Sequence, residues 1–226
     1  MTRTNGLDAV IQAAFFVVLL IGLNGCDPVH TVDLPGSELD VKVTVIDTDQ
    51  NPADLKVPIF VQFFSGGKYV KLASNATVTC DGINLTYRGL LGYGERVPMQ
   101  PTGGAGSYNV THHRNGVTTP ASVSVPARPL VTQPAPHASV PRTTSLTINY
   151  VPSTGSGVRA SASPPGKTGN VQPDTGTYAG FDVSNMTAGA GTIGILRDYT
   201  GTILFSGFKT AEKKYTIGGH INIVWE

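Results

Sequence analysis

The sequence predicts an all-β protein of two tandem antiparallel β-sandwiches behind a short N-terminal segment. Three observations carry this. Apolar and polar residues alternate in short runs, the pattern of strands with one face buried. Turn residues separate these runs about every 8–12 residues, the spacing of sandwich strands. Charged residues make up only 14% of the chain, against 27 glycines and 16 prolines; that leaves too few helix-forming side chains for long amphipathic helices and many turn formers.

Asp40 to Ile46 is the clearest strand, with Val41, Val43 and Val45 on one face and Lys42 and Thr44 on the other. Asp47-Thr48-Asp49-Gln50-Asn51-Pro52 is a turn by its chemistry. Val57 to Phe64 is nearly all apolar, as expected of a strand covered on both sides. Gly66-Gly67 turns the chain into Lys68–Leu72. Ala76–Cys80 and Ile83–Tyr87 follow, divided by Asp81-Gly82. Residues 88–106 read as a Gly/Pro-rich loop, with Leu90, Leu91, Tyr93, Val97 and Met99 as plugs. Ser107–His113 and Val117–Val125 form a hairpin about Asn115-Gly116, a pair suited to the positive φ angles of a tight turn. The first sandwich is therefore placed at 40–126.

Pro126, Pro129, Pro134, Pro136 and Pro141 crowd the next stretch and mark the boundary. Leu130, Val131 and Val140 among them indicate a short extended connection running into an edge strand. The second sandwich, 127–226, is read as strands at Ser145–Val151, Val158–Ala162, Tyr178–Val183, Gly191–Arg197, Thr202–Phe208, Lys214–Ile217 and Gly219–Glu226. Ser163–Thr175 is a polar loop, and Ile221, Ile223 and Trp225 share the inward face of the last strand.

The N-terminus has a different character. Residues 13–23 are wholly apolar or glycine, about half of the roughly 20 residues a membrane-spanning helix needs. A charged start, a short apolar run and a small residue before a cut describe a secretory signal. Leu23-Asn24-Gly25-Cys26 resembles the lipobox of bacterial lipoproteins. That resemblance implies cleavage between Gly25 and Cys26, removal of 1–25, a lipid on Cys26, and a tether over 26–39. Two or more acyl chains anchor stably where one binds marginally. Cys80 would then stand alone, with no intrachain disulfide. An ordinary secretory signal would instead leave Cys26 a thiol able to bridge to Cys80.

The opening Val41 to Asp47, Asn51-Pro52 with the Val/Phe strand after it, and Gly106-Ser107-Tyr108 leading into a hairpin are similar to disulfide-free bacterial immunoglobulin-like and transthyretin-like modules. Ala188-Gly189-Ala190-Gly191-Thr192 and the closing Ile221 to Trp225 are similar too. The resemblance spans about 36–226 and implies architecture, with roles among spacers, adhesin stalks and binding domains.

Motifs for chemistry are sparse. Asp47-x-Asp49-x-Asn51 starts like a calcium loop, and Asp54 lies near, but Pro52 stands where glycine belongs and Pro58 where the bidentate Glu belongs. An Asx-rich turn is the simpler reading. Gly189-x-Gly191-x-x-Gly194 spells a dinucleotide fingerprint, yet a strand follows it in place of a helix. His112 and His113, adjacent on a strand, point to opposite faces and cannot chelate one ion together. Tyr87, Arg88, Tyr93 and Arg96, aromatics and arginines in the glycine-rich loop, are the candidate ligand contacts. The formal charge of +1 gives no basic excess for nucleic acid. No cofactor is expected. The expectation is a lipid-anchored envelope or surface protein facing outside the cytoplasm, structural or binding in role. Its partners would be the membrane through Cys26 and an envelope protein or polysaccharide. The alternative is a loop-assembled metal- or carbohydrate-binding protein or an enzyme's accessory domain.

Overall fold

The computed structural model describes residues 30–32, 34–47, 56–98, 106–154 and 157–226. The apolar N-terminal run, Gly25, Cys26, Asp49, Asn51, Asp54 and Met99 lie outside these residues. The described chain is all-β, with two single-turn 3₁₀ segments at Gly36–Glu38 and Gly89–Leu91.

In chain order the first ten strands are β1 (His30–Val32), β2 (Asp40–Asp47), β3 (Lys56–Ser65), β4 (Lys68–Leu72), β5 (Ala76–Cys80), β6 (Ile83–Asn84), β7 (Thr86–Tyr87), β8 (Tyr93–Pro98), β9 (Gly106–Arg114) and β10 (Val117–Val125). Nine more follow: β11 (Leu130–Gln133), β12 (Ser139–Val140), β13 (Leu146–Val151), β14 (Gly157–Ser163), β15 (Lys167–Thr168), β16 (Gln172–Pro173), β17 (Thr177–Phe181), β18 (Gly189–Thr202) and β19 (Thr210–Trp225).

One large sheet runs β1-β4-β3-β2-β19-β18-β14-β15, with β8 on β3, β7 on β8, β12 on β19 and β16 on β14. Two smaller sheets, β10-β9-β5-β6 and β11-β13-β17, complete the fold. Most pairings are antiparallel. The exceptions are β1 with β4, β12 with β19, and β19 with β2.

The apolar residues form two cores. The first gathers Val41, Val43 and Val45 of β2, Val57, Ile59, Val61 and Phe63 of β3, Val78 and Cys80 of β5, and Tyr108 and Val110 of β9. It also takes Phe205, Ala211, Tyr215 and Ile217 from the far end of the chain. The second gathers Ile148, Tyr150, Val158, Ala160, Tyr178, Phe181, Ile193, Ile195, Ile223 and Trp225. Chain order and core membership therefore part company at the last hairpin. β18 and β19 pair antiparallel over fourteen positions, from Gly189↔Trp225 to Thr202↔Glu212, and this ribbon lines both cores.

β19 does this with one unbroken alternation. Its odd-numbered residues face inward throughout. Ala211, Tyr215 and Ile217 enter the first core, and Ile223 and Trp225 the second, with Ile221 packed at its margin. Gly219 lies between the two sets. A Cβ there would stand 1.6 Å from the carbonyl oxygen of Pro129, so only glycine lets the linker cross the ribbon at this point.

Three sequence expectations are revised. Lys214–Ile217 and Gly219–Glu226 read as two strands parted at Gly218, but β19 runs unbroken through this glycine pair, where Gly219 admits the linker and Gly218 clears the Leu196 side chain. Thr202–Phe208 reads as a strand, yet β18 ends at Thr202 and Ile203–Lys209 is the connection to β19, with Phe205 buried in the first core. Residues 88–106 read as a loop, but Tyr93–Pro98 forms β8 along the first half of β3, because Val97 and Tyr93 bury on one face.

The sharing of β19 has a consequence for folding. A chain ending at Val125 keeps β2 but loses its β19 neighbour and four residues of the first core. We expect it to lack cooperative urea unfolding and dispersed amide resonances, whereas the full chain unfolds in one transition by circular dichroism and by Trp225 fluorescence.

Candidate functional site

The most densely built polar constellation sits where the linker, residues 126–129, crosses the inward face of β18 and β19. Arg197 of β18 is fully buried. Its Nε donates to Asp174 Oδ2 at 2.6 Å, its Nη1 to the Ala127 carbonyl at 2.6 Å, and its Nη2 to the Pro152 carbonyl and to Asp174 Oδ1. The guanidinium also lies 5.9 Å from the centre of the Tyr150 ring. Thr154 Oγ1 donates to the same Asp174 carboxylate at 2.5 Å. Burial alone would raise the Asp174 pKa; the hydrogen bonds from Arg197 and Thr154 and the Arg197 charge outweigh it and hold the carboxyl below its ordinary value. Burial, with the neighbouring Asp174 charge, pushes the Tyr150 hydroxyl up to about 12.

Two further ties flank this pair. Arg128 of the linker forks onto both oxygens of Asp47, at the end of β2. Asp198 of β18 accepts from Thr216 Oγ1 at 2.6 Å and pairs with Arg159 of β14. On the outer face, Ser161 Oγ and His220 Nε2 lie 3.1 Å apart across Gly194, which pairs with both residues in register. His220 Nδ1 is buried with no hydrogen-bond partner among the described residues. Burial, then the Arg128 charge, pull the His220 pKa down to about 4, so the ring is neutral at pH 7. A serine beside a histidine is the start of a nucleophilic pair, but among the described residues no group orients the ring from its other nitrogen.

The expected site residues fall elsewhere. Asp47 gives its carboxylate to Arg128, and among the described residues no three His, Cys, Asp or Glu side chains gather as metal ligands. Tyr87 and Tyr93 pack with ring centres 5.3 Å apart. Tyr93 is buried and its hydroxyl accepts from the Leu72 N–H at 2.9 Å. Arg88 pairs with Glu95 at 3.0 Å, and Arg96 donates to the Lys56 carbonyl at 2.9 Å. The four therefore brace β7 and β8 against β3 and β4. Lys71 Nζ caps the Tyr87 ring at 5.1 Å. Cys80 is buried, and burial together with Asp81 pushes its thiol up to about 12, so it stays protonated and unreactive at neutral pH.

A cleft of about 340 Å³ opens at the first lobe, lined by residues that include Gly36, His112, Arg114, Thr119 and Phe208. It lies at the small end of ligand-pocket volumes. His112 packs edge-on to Phe208 at 5.2 Å, and its Nε2 is buried without a partner among the described residues. Burial, then the charges of Arg114 and His113, lower its pKa to about 4. His113, on the opposite face, contacts Thr118 Oγ1.

Sequence reasoning missed Arg197, Asp174, Ser161 and His220. Arg197 and Asp174 are 23 positions apart and belong to no spaced motif. The one available signal was an arginine on the inward phase of a strand, in step with Ile193 and Ile195.

No family model and no characterised protein sequence matches this chain. Among solved structures it is similar to the fibronectin(III)-like modules of Clostridium thermocellum CbhA, at 14% identity over 81% of this chain and 94% of that one, with a TM-score of 0.24. Domains 4 and 5 of the S-layer protein SbsC give 15% identity over 81% and 97% of the two chains, with a TM-score of 0.24. The BSP domain of a biofilm associated protein gives 16% over 78% of this chain and 29% of that one, again with a TM-score of 0.24. At these TM-scores the likeness carries no argument, and the architecture stands on the strands and registers above.

The buried pair makes a sharp prediction. Arg197→Met or Asp174→Asn leaves one charged or polar group stranded, and each is expected to lower unfolding free energy by about 3–5 kcal/mol. An Arg197→Met/Asp174→Leu double variant should lose less than the sum of its singles in urea titrations. Losses under about 1 kcal/mol for both singles would show that the pair holds nothing together.

The two buried histidines predict acid sensitivity. Their folded pKa values lie below the unfolded value of about 6.5, so the unfolded chain takes up protons first as pH falls. Stability is whole above about pH 6.5 and is lost on the way down towards pH 4. His112→Phe and His220→Gln should each flatten the fall between pH 7 and pH 4.5 in denaturant titrations.

Proposed function

We propose that this chain is a cell-envelope protein, anchored through a lipid on Cys26 and facing outside the cytoplasm, with a structural or binding role and no catalytic one. One observation carries the non-catalytic part: the charged side chains gathered where the linker crosses β18 and β19 are spent on holding the linker and the hairpin to two cores. Arg197 and Asp174 face one another and two backbone carbonyls, and Asp47 faces Arg128. A body whose two cores share one ribbon suits a rigid spacer or presenting module. The anchor rests on the sequence: the apolar run 13–23 and Leu23-Asn24-Gly25-Cys26 before the first strand. The partner class is a neighbouring envelope protein or polysaccharide.

The anchor is tested by metabolic labelling with palmitate in a bacterial host that processes lipoproteins. The wild-type chain should take up label and sediment with membranes, and Cys26→Ala should lose both. Undiminished label in Cys26→Ala would remove the anchor.

A further inference from the structure

We propose a further function for this chain: it bears tension between its N-terminal tether and whatever is held at its second lobe, and the β2–β19 ladder is the clamp that resists the pull. The inference rests on the proposed tether for the direction of the load alone. The clamp itself follows from strand direction and register.

β2 and β19 run parallel and pair at eight positions, from Asp40↔Thr210 to Asp47↔Ile217. Force from the tether reaches β2 at Asp40 and draws it backward. Force at the C-terminal end draws β19 forward, beyond Trp225. Neighbouring parallel strands pulled in opposite senses are loaded in shear. The hydrogen bonds of a parallel pair are evenly spaced and run slantwise between the strands, so a shear load falls on all the pairs together and none opens alone. Had the C-terminal strand met β2 antiparallel, the two pulls would act at the same end of the ladder and part it one pair at a time.

The surroundings fit the role. Val43 and Val45, at 0% and 1% exposure, and Ile217 at 2% keep water from the ladder's inner face. Thr210 Oγ1 donates to Asp40 Oδ1 at 2.7 Å at one end, and the Asp47–Arg128 fork closes the other. Beyond the ladder, β19 continues for eight residues into the second core and pairs with β18 along its length. The direct path from tether to C-terminus thus runs through β2, the ladder and β19. The chain between Asp47 and Thr210, with most of both cores, lies off that path and unfolds only after the ladder fails. β1 repeats the arrangement in miniature, parallel to β4 at three positions.

Single-molecule pulling on the full chain, carrying Cys26→Ala, tests this. With handles at the two termini we expect one dominant rupture that releases both lobes together, a length gain of roughly 60 nm at about 3.3–3.6 Å per residue. A second attachment, through Ser37→Cys and Ser206→Cys, pulls both strands from the Asp40–Thr210 end and should rupture at severalfold lower force at the same loading rate. Both positions are exposed, and Cys80 is buried and does not compete for the handles. Equal forces in the two geometries, or two separate ruptures in the end-to-end geometry, would overturn the clamp. Neither result bears on the lipid, which the labelling of Cys26→Ala decides by itself.

Discussion

The linker between the two halves crosses a buried place, and backbone buried away from water must find its hydrogen bonds there. Residues 126–129 pass over the inward face of β18 and β19, with Ala127 at 6% exposure. Two of the four residues, Pro126 and Pro129, have no N–H, which halves the donors to be satisfied. The carbonyls remain. Arg197 answers the Ala127 carbonyl, and the same guanidinium reaches the Pro152 carbonyl and Asp174. An arginine suits the position because its planar fork addresses several acceptors at once and does not shed its charge. Asp174 is then required: without it the guanidinium would be a buried, uncompensated charge. From this one crossing follow the places of the linker, of the β13–β14 connection that holds Pro152 and Thr154, and of the turn after β16 that holds Asp174.

The crossing also explains the ribbon. β19 keeps its inward phase from Ala211 to Trp225, so a single alternation feeds two cores that the linker separates. At the crossing the inward position must be empty, and Gly219 makes it so. On β18, the residue opposite Ile217 is Arg197. An apolar side chain there could pack, but it would leave the linker carbonyl without a donor. The outer face at the same level is polar as well, with Asp198, Thr216 and Arg159 joined together. At the linker crossing, then, neither face of the ribbon is simply apolar core or open surface.

How far this was legible depends on the range of the interaction. β2 declares itself by Val41, Val43 and Val45. The β9–β10 hairpin declares itself by Asn115-Gly116, which do adopt positive φ, 51° and 76°. The inward set Ile223 and Trp225 followed from period two. Each of these is a local rule of propensity or alternation. The sharing of β19 was not legible, because parallel pairing with β2 joins residues some 170 positions apart and leaves no local mark. The parting of the last two strands at Gly218 misled for a physical reason: glycine marks a break in a strand and also marks close approach of a neighbour, and the sequence alone does not separate the two. Tyr93 and Arg88 looked like loop contacts because aromatics and arginines serve binding loops. In the fold β3 offers β8 a free edge, and that edge turns the stretch into a strand.

The free edges carry the argument one step further. β10 is an edge strand of nine residues without a charged side chain, the type of edge that invites another strand. Two features oppose that. Pro120 removes an N–H from the middle of the strand. Lys213, from β19, places its Nζ 2.9 Å from the Ser124 carbonyl and 2.8 Å from the Ser124 hydroxyl. The lysine sits near the Tyr199 and Tyr215 rings, at 5.5 and 6.0 Å, and burial lowers its pKa. The ribbon that joins the two cores therefore also guards an edge of the first. A change that loosens β19 would weaken the ladder with β2, withdraw Ala211, Tyr215 and Ile217 from the first core and expose that edge together, so the three properties rise and fall as one.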